Sequence, residues 1–322
     1  MPRYSIIIPV YNRPDELKEL LESLTKQSYK DFEVIVIEDG SQRACIEEVR
    51  LFEDAFPIAY YFKENTGQGF SRNFGFDKAR GEYFIVFDSD CIIPPDYLQK
   101  VEEGLGRFGW DAFGGPDMAH EGFSPVQKAI SYAMTSVLTT GGIRGRKKRV
   151  GVFHPRSFNM GISREVWEDT GGYIITRMGE DIEFSIRIMK KGFKVGLISE
   201  AFVYHKRRTS FKQFFKQLHF FGRARINIYR FFPKELKLIH FFPAAFTIAL
   251  FSTPILLFLS YPLFNLAMAG VLIYLLLVFF DAISRTGSLK ISSLSVVAVV
   301  MMLTGYGIGF LTEIKRELFK KN

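Results

Sequence analysis

The chain has 322 residues, of which 48% are hydrophobic and 24% charged, and its formal net charge is +8. This length suits one large α/β domain with an appendage. The basic charge agrees with anionic lipid or phosphorylated ligands, and because no nucleic-acid-binding motif accompanies it, we expect no nucleic-acid partner. Two isolated cysteines, Cys45 and Cys91, indicate a reducing compartment without a disulfide framework.

Short apolar runs alternate with helical patterns in the first part of the chain. The runs are Tyr4–Val10, Phe32–Ile37, Ile58–Phe62 and Tyr83–Phe87. Leucines at helical spacing follow the first run, and helices are also predicted at residues 44–54 and at Ser71–Ala79. Such alternation is typical of βαβ units, so the predicted fold is α/β with a mostly parallel central sheet flanked by helices.

The middle of the chain is less regular. It predicts a strand leading into the turn Phe113–Pro116, helices at Pro125–Leu138, Arg164–Thr170 and Asp181–Lys191, and a strand at Lys194–Ile198. A basic run, Arg144–Arg149, has two interpretations: a site for lipid headgroups or a diphosphate, or a solvated loop.

The last third of the chain indicates a membrane. Phe211–Phe232 interleaves aromatic residues with lysines and arginines, which is typical of an interfacial helix. Phe241–Leu259 and Leu263–Phe280 are each long enough to span a bilayer, and Ile291–Leu311 is a weaker candidate. The predicted division is therefore a catalytic domain at 1–208, an amphipathic interfacial segment at 209–236, and a transmembrane region at 237–322 with two or three spans and a basic tail.

The distribution of basic residues leaves the number of membrane spans open. The N-terminus runs directly into a strand without a signal peptide, so we expect the first domain to face the cytoplasm from a multi-pass inner membrane. Two spans return the chain to that side, where Arg285 and Lys290 agree with the positive-inside rule. A third span would place Lys315 and Arg316 on the opposite side.

Acidic residues follow two of the predicted strands at the point where each ends. Asp39 follows the second strand, and Asp88 and Asp90 follow the fourth. Carboxyl ends of parallel strands meet at one sheet edge, where ligands bind. Two carboxylates a short turn apart can hold a divalent cation against phosphate oxygens, and Asp39 can accept a hydrogen bond from the imide of a uracil-like base.

Further candidates come from three later motifs. Arg72, in Asn65–Gly75, can pair with phosphate or support the acidic cluster. Asp181, preceded by Glu180 at a helix start, can act as a general base toward an acceptor hydroxyl. His205, next to several cations, can complete a metal site.

Each of these patterns also has an ordinary structural interpretation. Asp88 and Asp90 can decorate a solvated turn, and Asp39 can cap a helix. Asp181 can stabilise a helix start through the helix dipole. An isolated histidine such as His205 is usually structural.

The motifs taken together carry a resemblance. The order IIIPVYN, IVIEDGS, NTGQGFSRNFG, FDSD, GGY, GEDIEFSIRI and VYHKR closely resembles the inverting family 2 glycosyltransferases of GT-A fold over about residues 4 to 208. The resemblance implies a membrane-anchored enzyme of the surface-glycan type. It would invert the anomeric carbon in one displacement and would require Mg²⁺ or Mn²⁺.

The resemblance also implies roles for matching residues. The expected nucleotide-sugar contacts are Pro9, Tyr11, Asn12, Asp39, Arg72 and Asp88. The expected metal ligands are Asp88, Asp90 and His205. Asp181 is the expected catalytic base, and the expected acceptor is a hydroxyl of a lipid-linked glycan.

Departures and rivals limit the interpretation. No Arg-Trp pair occurs, the two tryptophans being Trp110 and Trp167, which argues against processive polymer synthesis of the kind seen in this family's synthases. A nucleotidyltransferase would carry a glycine-rich basic loop after the first strand, where Pro9-Val10-Tyr11-Asn12 stands instead. A polyprenyl-phosphate sugar synthase and a non-catalytic membrane scaffold that keeps the fold remain alternatives. The segment Gln127–Phe158 has no motif that identifies the acceptor.

Overall fold

The computed structural model describes residues 1–140 and 153–319, which form two compact units. Of these residues, the first unit contains 1–120 and 153–206, and the second contains 121–140 and 207–319. The basic run Arg144–Arg149 lies outside the described residues. The helix at Pro125–Thr135, which precedes that run, groups with the C-terminal part of the chain.

The first unit is built on a seven-stranded sheet. It consists of β1 (Tyr4–Val10), β2 (Phe32–Asp39), β3 (Ile58–Lys63), β4 (Tyr83–Phe87), β6 (Ala112–Gly114), β8 (Asn159–Ser163) and β9 (Val195–Leu197), in the order β3-β2-β1-β4-β8-β6-β9. A smaller sheet has β5 (Cys91–Ile92), β7 (Asp117–Met118) and β10 (Val203–His205), in the order β5-β10-β7. In the large sheet only β8 is antiparallel to its neighbours, so the predicted mostly parallel α/β fold is confirmed.

Helices pack on both faces of this sheet. They are α1 (Pro14–Thr25), α2 (Ile46–Arg50), α3 (Gln68–Lys78), α4 (Tyr97–Phe108), α7 (Arg164–Thr170) and α8 (Glu180–Lys190). Alternate residues of a strand point to opposite faces. Ile6 and Ile8 of β1 accordingly join one apolar cluster with leucines of α1, and Ile7 joins another with Phe76 of α3. Burial on both faces explains why the strands read as continuous apolar runs.

Parallel register brings the acidic strand ends to one edge. β1 and β2 pair so that Val10 lies opposite Glu38, and β2 and β3 pair so that Asp39 lies opposite Lys63. β4 pairs with β1 on its other side, so the turn after Phe87 emerges at the same edge. This is the edge at which parallel α/β sheets bind ligands.

The second unit is helical. It consists of α5 (Pro125–Thr135), α6 (Val137–Thr140), α9 (Phe211–Phe231), α10 (Phe242–Leu259), α11 (Tyr261–Thr286) and α12 (Leu289–Phe319), with 3₁₀ turns at Pro233–Glu235 and Leu238–Phe241. Helices Leu238–Leu259, α11 and α12 are long and apolar enough to cross a membrane. The predicted helix Pro125–Leu138 is interrupted at Ser136, which adopts an extended conformation.

Candidate active site

Asp39 is held rigidly at the end of β2. One carboxylate oxygen accepts hydrogen bonds from the Lys63 ammonium at 2.6 Å and the Thr66 amide at 2.9 Å. The other accepts from the Gly67 amide at 2.9 Å. Burial opposes ionisation, but the Lys63 and Thr66 hydrogen bonds outweigh it, so the pKa of Asp39 is lowered. A carboxylate has about four lone-pair positions, so Asp39 can accept a further bond from a base.

The loop after β1 is shaped by Asn12. This residue has a positive φ of 54°, a conformation that asparagine tolerates better than most residues. Its side-chain oxygen accepts from the Gln42 amide at 2.8 Å, and its own amide donates to the Ser41 hydroxyl at 2.7 Å. Asn12 therefore ties the loops after β1 and β2 together. Pro9 lies within β1, and the Tyr11 ring is 50% exposed beside this loop.

Arg72 lies inside the protein between two acidic residues. Its guanidinium donates to Asp88 at 2.8 Å and to Glu180 at 3.3 Å, and it lies 5.4 Å from the centre of the Tyr173 ring. The side chain is only 1% exposed, whereas that of Asp88 is 34% exposed. This arrangement favours the supporting role for Arg72 over direct contact with phosphate. It links the end of β4 to the start of α8.

The expected base stands at that helix start. Asp181 accepts from the Ile182 amide at 2.8 Å and from Arg156 at 3.4 Å. Beside it, burial and the Asp181 charge raise the pKa of Glu180, which also accepts a hydrogen bond from Gln68. The helix dipole favours a carboxylate here, so the capping interpretation and the base interpretation are compatible.

The glycines on either side of Gln68 pack closely against another segment of the same unit. A Cβ at Gly67 would stand 2.4 Å from Thr176 Oγ1, and a Cβ at Gly69 would stand 2.6 Å from the Ile175 carbonyl oxygen. Glycines in a turn at a sheet edge can let the backbone approach a ligand closely. Their smallness instead lets the loop pack against the segment that leads into α8.

Asp90 and His205 form the second half of the acidic site. His205 Nε2 lies 3.0 Å from one carboxylate oxygen of Asp90, and Arg13 donates to the other at 2.7 Å. The register of β10 on β5 sets His205 opposite Cys91, and the His205 ring stacks on Phe158 at 4.8 Å. Two distant parts of the chain are thus brought together through the small sheet.

The donor set here suits a hard divalent cation. One ligand atom each from Asp90, Cys91 and His205 can be chosen within 4.8 Å of one another. Burial raises the pKa of the Cys91 thiol, which disfavours the thiolate that soft metals prefer. Carboxylate oxygens and an imidazole fit Mg²⁺ or Mn²⁺. Asp88 lies outside this cluster, held by Arg72.

Several residues of the site escaped sequence reasoning. They are Arg13, Lys63, Arg156 and Glu180 in its role as partner of Arg72. Lys63 had a detectable signal, because it ends the strand after Asp39 and parallel pairing places the two side by side. The others depend on contacts between distant segments, for which the sequence carries no spacing rule.

Sequence comparisons relate the chain to known proteins. A family model described as glycosyl transferase family 2 matches residues 5–171. An uncharacterised glycosyltransferase of Haemophilus influenzae is 29% identical over 219 residues, covering 64% of this chain and 70% of that protein. Shorter matches to glycosyltransferases of Rickettsia and Bacillus subtilis cover 15% to 31% of those proteins, so the chain spans less than a third of their length.

Solved structures share the fold. The mannosyltransferase PcManGT of Pyrobaculum calidifontis, in complex with GDP-Man and Mn²⁺, has a TM-score of 0.62 at 17% identity, covering 98% of this chain and 88% of that one. TarS 1-349 of S. aureus, in complex with UDP-GlcNAc, has a TM-score of 0.51 at 18% identity, covering 98% and 92%. At these identities the likeness concerns the fold alone.

Proposed function

The chain belongs to glycosyl transferase family 2, and we propose that it transfers a sugar from a nucleotide-diphosphate-sugar to a hydroxyl of a membrane-associated acceptor, with inversion. The observation that carries this proposal is the pair of ion pairs through which Arg72 joins Asp88 to Glu180. Through that link the strand end expected to hold the donor diphosphate and the helix start expected to hold the base form one structure.

The donor side of the proposal rests on strand-end groups. Asp39 keeps one acceptor position for a base, and the exposed Tyr11 ring lies beside the loop that Asn12 shapes. Asp90 and His205 would hold a divalent cation, which would supply positive charge to a leaving diphosphate. PcManGT, which has the same fold, was solved with GDP-Man and Mn²⁺, and this supports the choice of a nucleotide-sugar and a divalent cation.

The acceptor side rests on Asp181. Its carboxylate takes the proton of the acceptor hydroxyl as that oxygen bonds to the anomeric carbon. The bond from that carbon to the phosphate oxygen breaks, and the nucleoside diphosphate leaves with the bonding electrons. Arg156 and the Ile182 amide orient the carboxylate. A phosphate acceptor would already be ionised and would need no base, so the Asp181 arrangement favours a hydroxyl acceptor.

The membrane-associated acceptor is inferred from the second unit. Helices long and apolar enough to span a bilayer would keep the enzyme at a lipid surface, where a lipid-linked glycan is available. We place the catalytic unit on the cytoplasmic side of the inner membrane, because nucleotide-sugars are cytoplasmic and the basic residues near the hairpin ends follow the positive-inside rule.

Donor binding is the first test. Detergent-purified protein is heated with UDP-, GDP- or dTDP-sugars, with and without Mn²⁺, and its unfolding midpoint is measured. We expect one nucleotide to raise the midpoint in a metal-dependent way, since binding to the native state alone stabilises it. Folded protein that responds to none of these nucleotides would favour the scaffold alternative.

The base is tested by Asp181→Asn. We expect donor binding to persist in the thermal assay while sugar transfer falls by about 10²- to 10⁴-fold, the usual contribution of a general base. Asp77→Asn, at an exposed position of α3, is the matched control and should transfer at the wild-type rate. Near-normal transfer by Asp181→Asn would remove Asp181 from this role.

A further inference from the structure

Helix α12 has the length and composition of a membrane span, but its surroundings differ from those of the other two candidates. In its most apolar 18-residue window, 56% is buried inside the protein, against 17% for Leu238–Leu259 and 6% for α11. A helix surrounded by lipid leaves its apolar side chains exposed toward lipid. α12 is instead enclosed by helices of its own unit.

The neighbour that covers the second half of α12 cannot lie in hydrocarbon. α9 carries Lys or Arg at five of its 21 positions, each costly at the bilayer centre. A Cβ at Gly305 would stand 3.0 Å from the Phe215 carbonyl oxygen, and a Cβ at Gly309 would stand 2.0 Å from that of His219. The two helices therefore run side by side, in the same direction and in close contact.

Ion pairs continue this contact toward the end of α12. Arg223 pairs with Glu313 at 2.9 Å, and Arg230 pairs with Glu317 at 2.5 Å. Positions along α9 and α12 thus advance together over about three helical turns. The second half of α12 must therefore lie at the same depth in the membrane as α9. The lysines and arginines of α9 place that depth at the polar interface.

The hairpin formed by α10 and α11 fixes the position at which the first half of α12 begins. Only Ser260 separates these helices, so the start of α10 and the end of α11 are on one side of the membrane. α12 follows α11 after Gly287 and Ser288. Its later residues return to the start of α10: Thr247 donates to the Leu303 carbonyl at 3.3 Å.

This contact is incompatible with a simple third crossing. The hairpin makes α11 antiparallel to α10, so a third span antiparallel to α11 would run in the same direction as α10 and move away from its start as it advances. A Cβ at Gly307 would instead stand 2.4 Å from the carbonyl oxygen of Pro243, in the first turn of α10. Far-end residues such as Phe258 are 86% exposed.

We propose that α12 does not cross the bilayer but lies with α9 as a paired interfacial layer on the leaflet at which the α10–α11 hairpin opens. Lys315 and Arg316, both exposed, then meet the anionic headgroups of that leaflet. The positive-inside conflict of a third span disappears, since these cations stay on the side of Arg285 and Lys290. The proposal depends on helix contacts alone and not on donor, acceptor or activity.

The test is the side of the membrane on which Leu318 lies. Leu318→Cys, at a position 67% exposed, is compared with Leu51→Cys in the N-terminal unit, 65% exposed. Both are labelled with a membrane-impermeant maleimide in sealed vesicles of each orientation. We expect the two cysteines to react in the same vesicles. Reaction of Leu318→Cys only in vesicles of the opposite orientation would overturn the proposal.

Controls keep the comparison interpretable. Cys45 and Cys91 are buried, so the wild-type chain should show little labelling, and detergent-solubilised variants should show that both new thiols react. A second measurement avoids cysteine altogether. An epitope tag after Asn322 should bind antibody in the same vesicles as a tag before Met1, and binding only in the opposite vesicles would contradict the proposal.

Discussion

The two units differ in where they carry buried charge. In the first unit a guanidinium that is 1% exposed, that of Arg72, lies between acidic side chains at the centre of the candidate site. In the second, α12 meets its neighbours through glycines, and its ion pairs with Arg223 and Arg230 lie toward one end. The first unit therefore places buried charge at its candidate site, whereas the second keeps its buried Glu313 toward the end of a helix contact that depends on close backbone approach.

The largest expected effect of this difference follows loss of the buried cation. Arg72→Met leaves Glu180, 6% exposed, without its guanidinium partner. We expect the free energy of unfolding to fall by about 3–5 kcal/mol, because removing one member of a buried pair leaves an uncompensated charge. Thermal or denaturant unfolding of the purified chain measures this loss.

The matched control is an arginine in an exposed pair. Arg50, 59% exposed, pairs with Glu47 on the surface, and Arg50→Met should cost about 0–1 kcal/mol. Equal losses for the Arg50 and Arg72 variants would mean that the buried network contributes no more than a surface pair. The contrast between the units would then disappear.

The second unit should respond to added volume at its close helix contact. A Cβ at Gly309 meets the His219 carbonyl oxygen, so Gly309→Ala forces α9 and α12 apart. We expect a loss of about 1–3 kcal/mol, the usual cost of overpacking. Thermal unfolding in detergent measures it.

Gly270 provides the control for this prediction. No atom lies within 4 Å of a Cβ built at Gly270 in α11, so Gly270→Ala should be neutral or stabilising by up to about 1 kcal/mol, through helix propensity. A loss at Gly270 equal to that at Gly309 would point to a general intolerance of alanine in these helices. The close packing of α9 on α12 would then not be the cause.

The sequence predicted the first unit better than the second for a physical reason. Strands such as Tyr4–Val10 are buried on both faces and carry their signal locally, and parallel pairing then brings Asp39 and Asp88 to one edge without further information. β8 was missed because Asn159–Ser163 is polar and glycine-bearing and becomes a strand only through antiparallel pairing with β4 and β6.

For the second unit, composition alone leaves the placement of α12 open. The mean hydropathy of an apolar helix is the same whether protein or lipid surrounds it, so hydropathy predicts a membrane span in either case. The distinction depends on which helices surround it. The glycines at 305, 307 and 309 made the segment a weaker candidate in the sequence, and in the structure they mark its contacts with α9 and α10.

The smallest expected effect concerns pH and the anchored Asp39. Its pKa lies below the ordinary value of 3.8, so its charged form is stabilised by folding. That contribution is complete above the ordinary value and is lost as pH falls through the lowered one. Acidification below about pH 4 should therefore destabilise the wild-type chain more than Asp39→Asn, while the difference between them stays constant at neutral pH.

The measurement is the unfolding midpoint of both chains across this acidic range, with Asp54→Asn, an exposed position outside the site, as control. The Asp54 variant should follow the wild type at every pH. If Asp39→Asn also follows it, Lys63 and the Thr66 amide do not stabilise the carboxylate in solution as they do in the structure. Asp39 would then be a mobile acid rather than a fixed acceptor, and the proposal that it reads the base of the donor would lose its geometric support.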